Sequence, residues 1–152
     1  MISIALLTYL ADREIKNSVN ATRALGSREE VLGGKVCIRN VHNSITPAHR
    51  LGLGQEKAEK LSRFTILMPV LYYVLTHVGR KGFLSRLSSS LMLGGALGNW
   101  VERLEYGYAT DYLQIKVGPK KLQKIIFNLA DIAIVLGGIL GFLALLLPSR
   151  DR

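Results

Sequence analysis

Sulfur and imidazole are scarce in this chain. Cys37 is its one cysteine, so no disulfide can form within the molecule. The residues before it, Gly34-Lys35-Val36, are not the small apolar set expected ahead of a lipid-modified cysteine. Cys37 therefore reads as an ordinary buried strand residue. His42, His49 and His77 are scattered and show no Cys/His metal-ligand spacing, so neither a metal nor another cofactor is expected. Negative charge is also thin, with 11 acidic residues against 20 basic ones and a net charge of +9. The basic residues flank apolar runs and do not interleave with aromatics. That argues against a nucleic-acid partner and for membrane lipids with anionic head groups. The opening Met1-Ile-Ser-Ile-Ala-Leu-Leu-Thr8 lacks the basic start and the cleavage site of a secretory leader. A retained first helix is expected. No internal repeat or low-complexity tract is visible.

What the chain has in quantity is apolar surface. Hydrophobic residues make up 49% of its 152 positions, and the mean hydropathy is +0.24. They clump near 1–11, 64–78, 91–101 and 125–147. This is the pattern of an all-α membrane protein, one integral membrane domain over 1–152. Four transmembrane helices are expected at about 1–20, 63–79 (carrying Pro69), 84–104 and 125–147. A soluble helical domain is disfavoured, because the last run is apolar all round rather than on one face. The section 21–62 is polar. Within it Lys35-Val-Cys-Ile-Arg-Asn-Val41 is β-branched and partly alternating, so a small extracytoplasmic β-cradle is expected on the membrane surface. Gln55–Lys60 reads as a polar helical lead-in to the second span. The loop Gly79–Arg86 and the tail Ser149–Arg152 are basic, which puts both termini in the cytoplasm and the ends bearing Asp111 and Asp131 outside.

Asp131 is the residue that asks for chemistry. The run 125–147 reaches roughly 35 Å as a helix, enough to cross a bilayer. Asn128 and Asp131 are its strongly polar members. An ionisable group there costs several kcal/mol (order of magnitude) unless it faces a partner or a wet cavity. Asp131 is expected one to two turns inside the span, with Asn128 on its face and Ile134 and Val135 closing that face below. A structural alternative is an ion pair to Arg103 or another base. Gly94 and Gly98, and again Gly137 and Gly141, are small-xxx-small pairs that let helices approach closely. Gly95, Asn99 and Arg103 recur at helical spacing and form a polar lane. Glu105–Leu113 reads as a turn at Gly107 followed by a short extended or helical piece bearing Asp111. Spans three and four should run antiparallel, bringing Asp111 and Asp131 to one depth. Two close carboxylates share a proton. One then activates a water while the other protonates the carbonyl oxygen or leaving amine.

These segments resemble the lipoprotein signal peptidase (signal peptidase II) family. Its patterns G-G-A-x-G-N-x-x-D-R, V-V-D-F and F-N-x-A-D-x-x-I are similar to Gly94–Arg103, Ala109–Tyr112 and Phe127–Ile134. Fainter likenesses join Asp12–Lys16 to D-Q-x-x-K and Val41-His-Asn43 to V-x-N. The resemblance implies four transmembrane helices, a surface β-cradle and a metal-free aspartate dyad. It also implies cleavage of signal peptides just before a diacylglyceryl-modified cysteine, in the bacterial inner membrane. Carried over by residue, Asp111 and Asp131 are the dyad. Asn99, Arg103 and Asn128 support it and hold substrate, and Asn43 contacts substrate from the cradle. The chain departs from the pattern at Asn43–Ala48, where a proline enters and a glycine is lost. It departs again at Glu102 in place of aspartate, and at Ala109-Thr110 in place of two valines. The changed substrate-side loop motivates one alternative, a non-catalytic relative that binds lipoprotein or lipid. A small transporter using Asp131 alone is the other.

Overall fold

The computed structural model describes residues 1–44, 64–79 and 81–147. Helix α1 is Ile2–Thr22, followed by strands β1, Arg28–Val31, and β2, Val36–Asn43. Helix α2 is Leu67–Val78 and helix α3 is Phe83–Tyr106. Strand β3, Ala109–Ile115, precedes a 3-10 turn at Leu122–Lys124 and helix α4, Leu129–Leu146. The three strands form one antiparallel sheet in the order β1-β2-β3. The substrate-side segment 45–48 and the lead-in 55–60 lie outside the described residues, as does the tail 148–152.

The helical part is polar inside and apolar outside. Ser88, Ser89 and Ser90 are fully buried on α3. Ser88 Oγ donates to the Gly137 carbonyl at 2.7 Å, and Ser89 Oγ meets Thr76 Oγ1 at 2.7 Å. Meanwhile Leu7, Met68, Val78, Val135, Phe142 and Leu145 are exposed. Only 17% of α4 is buried, although it is the most apolar helix. In water this inversion would leave large apolar surfaces uncovered. In lipid, the same surfaces are solvated, while the Ser88 and Ser89 hydroxyls bond between helices and Ser90 Oγ donates to Arg86 O within α3. Among the described residues α4 is the one helix long and apolar enough to cross a membrane by itself, while α2 is apolar but shorter.

Glycines set how close the helices come. A Cβ on Gly94 would sit 2.5 Å from the Ala5 carbonyl of α1. One on Gly95 would sit 2.4 Å from the Ala130 carbonyl of α4. On the other small-xxx-small pair, Gly137 lies against Met92 and Ser88, and Gly141 against Ser88 and Tyr72. So α3 is the central helix, with α1 on one side and α4 on the other. Pro69 falls in the first turn of α2, where its missing N–H costs no intrahelical bond.

The start of the last helix differs from the sequence expectation. Helix α4 starts at Leu129, not near 125, because Phe127 is drawn into a bridge with Leu113. Phe127 N donates to Leu113 O at 2.9 Å, and Leu113 N donates to Phe127 O at 2.8 Å. Asp131 therefore stands in the first turn of α4, not one to two turns inside. The piece after Gly107 is a strand. Gly107, at φ +80°, ends α3 in the left-handed conformation and turns the chain into β3.

Candidate active site

Asp111 comes from β3 and Asp131 from the start of α4. The β2–β3 register pairs Val41 with Asp111 and Asn43 with Ala109, which makes Asn43 a diagonal neighbour of Asp111. Asn43 Nδ2 donates to Asp111 Oδ2 at 2.9 Å. The other oxygen, Oδ1, accepts from Asn128 Nδ2 at 2.8 Å. The Phe127–Leu113 bridge makes this contact possible, since it sets Asn128 beside β3.

Asn128 is also the N-cap of α4. Its Oδ1 accepts from the Asp131 N–H at 2.9 Å, and Asp131 Oδ2 accepts from the Asn128 N–H at 3.2 Å, a reciprocal capping box. Asp131 Oδ1 accepts from Asn99 Nδ2 at 2.8 Å. Asn128 Nδ2 reaches Asn99 Oδ1 as well, at 3.0 Å. Two amides thus connect the two carboxylates. Asn128 is fully buried, and Asn99 and Asp111 nearly so.

Asp111, Asp131, Asn43 and Arg103 line one cavity of about 530 Å³, whose remaining wall includes Ile132, Val135 and Leu136. Val135 continues the Asp131 face as expected, while Ile134 turns toward Gly95. Arg103 donates from Nη1 to the Asn99 carbonyl at 3.4 Å, and its Nε has no partner among the described residues. The ion pairs among the described residues do not include Asp131, so the structural alternative of a bridge to Arg103 is not what holds it. Burial pushes the Asp111 carboxyl up to about 6. The Asn43 hydrogen bond opposes this, the Asp131 charge adds to it, and Arg103 and Lys16 work against it. No group of His, Cys, Asp and Glu able to hold a metal occurs among the described residues. Cys37 is fully buried on β2. A larger cavity, about 670 Å³, opens between α1, α3 and β2 but contains neither aspartate. Both aspartates line the smaller one.

All six sequence-predicted residues, Asn43, Asn99, Arg103, Asp111, Asn128 and Asp131, meet around this cavity or its amide bridge. Sequence reasoning missed the layer behind them. Lys16 Nζ lies 2.7 Å from Asp12 Oδ2, 2.9 Å from Glu102 Oε2 and 2.9 Å from Asn99 Oδ1. Asp12 Oδ1 accepts from the Ala130 N–H at 3.0 Å. The available signal was Asp12 and Lys16 at i, i+4 in a largely apolar helix, together with the faint likeness of Asp12–Lys16 to D-Q-x-x-K.

The family model described as Signal peptidase (SPase) II matches residues 4–147. A lipoprotein signal peptidase of Moorella thermoacetica is 33% identical over 150 residues, covering 98% of this chain and 94% of that protein. One from Lactobacillus gasseri is 32% identical over 147 residues, covering 97% and 92%. A solved bacterial membrane enzyme superposes with a TM-score of 0.77 at 26% identity, covering 95% of this chain and 86% of the other. A second, at 24% identity and a TM-score of 0.76, has the same fold.

Proposed function

We propose that this chain, which belongs to the signal peptidase II family, is an aspartic endopeptidase with Asp111 and Asp131 as its catalytic pair. It removes signal peptides from prolipoproteins, as its relatives' names state of them. The substrate we assign is the diacylglyceryl-modified precursor, cut just before the modified cysteine. One observation carries the assignment of the pair. Two carboxylates from different elements open into a single cavity, each held by asparagine amides, beside an arginine with a spare N–H.

The chemistry follows from that arrangement. Asp111, pushed up to about 6 by burial, is the member of the pair assigned the proton below that pH. Asp131 takes a proton from a water, which attacks the scissile carbonyl carbon. Asp111 gives its proton to the carbonyl oxygen; on collapse of the tetrahedral centre Asp131 passes the proton it took from water to the leaving amine, and a hydroxyl of the centre returns a proton to Asp111. Arg103 holds a substrate carbonyl, and Asn43 holds Asp111 from the sheet. Asn99 and Asn128 keep the two carboxylates in register, so little reorganisation is needed in the transition state.

We read α1–α4 as four spans of the bacterial inner membrane, with both ends cytoplasmic and the sheet on the outer surface. The exposed apolar faces of α1, α2 and α4 support this, as does the basic α2–α3 loop. The diacylglyceryl chains would stay in lipid along Ile132, Val135 and Leu136, while the peptide bond reaches the pair from the sheet side. The test uses the purified chain in liposomes with a lipid-modified precursor and its unmodified form, and the product is identified by mass. Cleavage of the modified form alone, directly before its cysteine, is expected. Binding without product would favour the non-catalytic alternative.

A further inference from the structure

We propose that Glu102 is a positioning residue for the catalytic pair, fixing Asp111 through Thr110 while Lys16 ties the same carboxylate to the Asp131 side. The inference rests on the assignment of the pair given above. Glu102 and Thr110 are two positions where this chain departs from the family pattern it resembles, and in the fold the two departures meet. Thr110 Oγ1 donates to Glu102 Oε1 at 2.6 Å, and the Thr110 N–H donates to Oε2 at 3.0 Å. Lys16 Nζ lies 2.9 Å from the same Oε2. Thr110 is fully buried and Lys16 and Glu102 nearly so.

Position 110 is fixed twice, by its amide and by its hydroxyl. Its carbonyl accepts from Asn128 Nδ2 at 3.2 Å, the same amide group that holds Asp111 Oδ1. A shift of Thr110 therefore moves both the backbone of Asp111 and the amide that orients its carboxylate. On the other arm, an ammonium can only donate, so Asn99 must turn Oδ1 toward Lys16. That leaves Asn99 Nδ2 for Asp131. One buried carboxylate–ammonium pair thus stands behind both catalytic groups. Neither Glu102 nor Thr110 lines the cavity that holds the pair, and Glu102 borders the larger cavity instead, so their effect on the pair runs through Asp111.

The glutamate and the threonine form a matched set. A shorter acid at 102 leaves the threonine hydroxyl without this acceptor. A valine at 110 leaves Oε1 without its donor. Changing both removes the hydroxyl and the extra reach together. The experiment measures kcat and KM on a diacylglyceryl-modified precursor for wild type, Glu102→Asp, Thr110→Val and the double variant, with thermal unfolding in detergent alongside. Each single change is expected to lower kcat about tenfold with KM unchanged, as for loss of one hydrogen bond to a charged group. The double variant is expected to lose less than the product of the singles, because the two side chains are coupled. Losses that multiply in the double, that fall on KM, or that follow thermal stability alone would overturn the proposal. Thr110→Val keeps the side-chain shape, so it reports even where Glu102→Asp fails to fold, and a wild-type kcat in that variant also overturns it. Failure of the wild-type chain to cut at all would count against the assigned function instead.

Discussion

At the level of single residues, the proposed role of Asp111 as proton donor makes a pH response the expected outcome. Burial raises its carboxyl to about 6, so it keeps its proton below that value and loses it above. With Asp111 as the proton donor, kcat/KM falls as pH rises through about 6. The Asn43 hydrogen bond favours the ionised form and holds the value down. Asn43→Ala removes that restraint, the carboxyl climbs further, and the alkaline limb moves to higher pH by about one unit. A pH profile of kcat/KM checks this, and a limb that moves to lower pH would contradict it. Most of the first layer was legible in the sequence, because Asn128 and Asp131 are the strongly polar members of the run 125–147, and Asn99 and Arg103 share one helical face of 84–104. Lys16 and Glu102 were not legible in their role. A charge near a helix end usually marks where the chain leaves the membrane, and only the fold reveals that Lys16 points inward at 3% exposure.

At the scale of elements, the glycine pairs announced close helix approach, but not which helix each would meet. Gly95 turns out to carry the backbone of α4 one residue before Asp131, through the Ala130 carbonyl. Gly95→Ala would force α3 and α4 apart at that point. Overpacking of this kind costs about 1–3 kcal/mol. Displacing a catalytic group by about 1 Å costs on the order of a hundredfold in rate. Gly138→Ala has open space around it and should leave both stability and rate near wild type. Thermal unfolding and precursor cleavage on the two variants distinguish a packing contact from a helix-propensity effect. Strand β3 was hard to read for a different reason. Its residues Ala109–Tyr112 are buried on both faces, so no alternation marks the strand. The late start of α4 was invisible because the Phe127–Leu113 bridge is a tertiary contact that overrides the apolar run.

For the whole molecule, polar groups collect along the axis of the bundle and at the sheet, while apolar side chains face outward. That arrangement suits a solvent of lipid. It also explains why hydropathy located the helices, whereas their orientation rests on the basic loops. Strand β3 and the α4 N-terminus are joined by the Phe127–Leu113 bridge, and their junction is what brings the two carboxylates to one cavity. The most direct measurement compares single-turnover cleavage of a diacylglyceryl-modified precursor by Asp111→Asn, Asp131→Asn and the double variant. If the two groups act as one, each single change removes cleavage by about a thousandfold or more, and the double is no worse than either. A double variant whose loss equals the product of two modest single losses, or a single variant that cuts at the wild-type rate, would contradict the shared-pair mechanism.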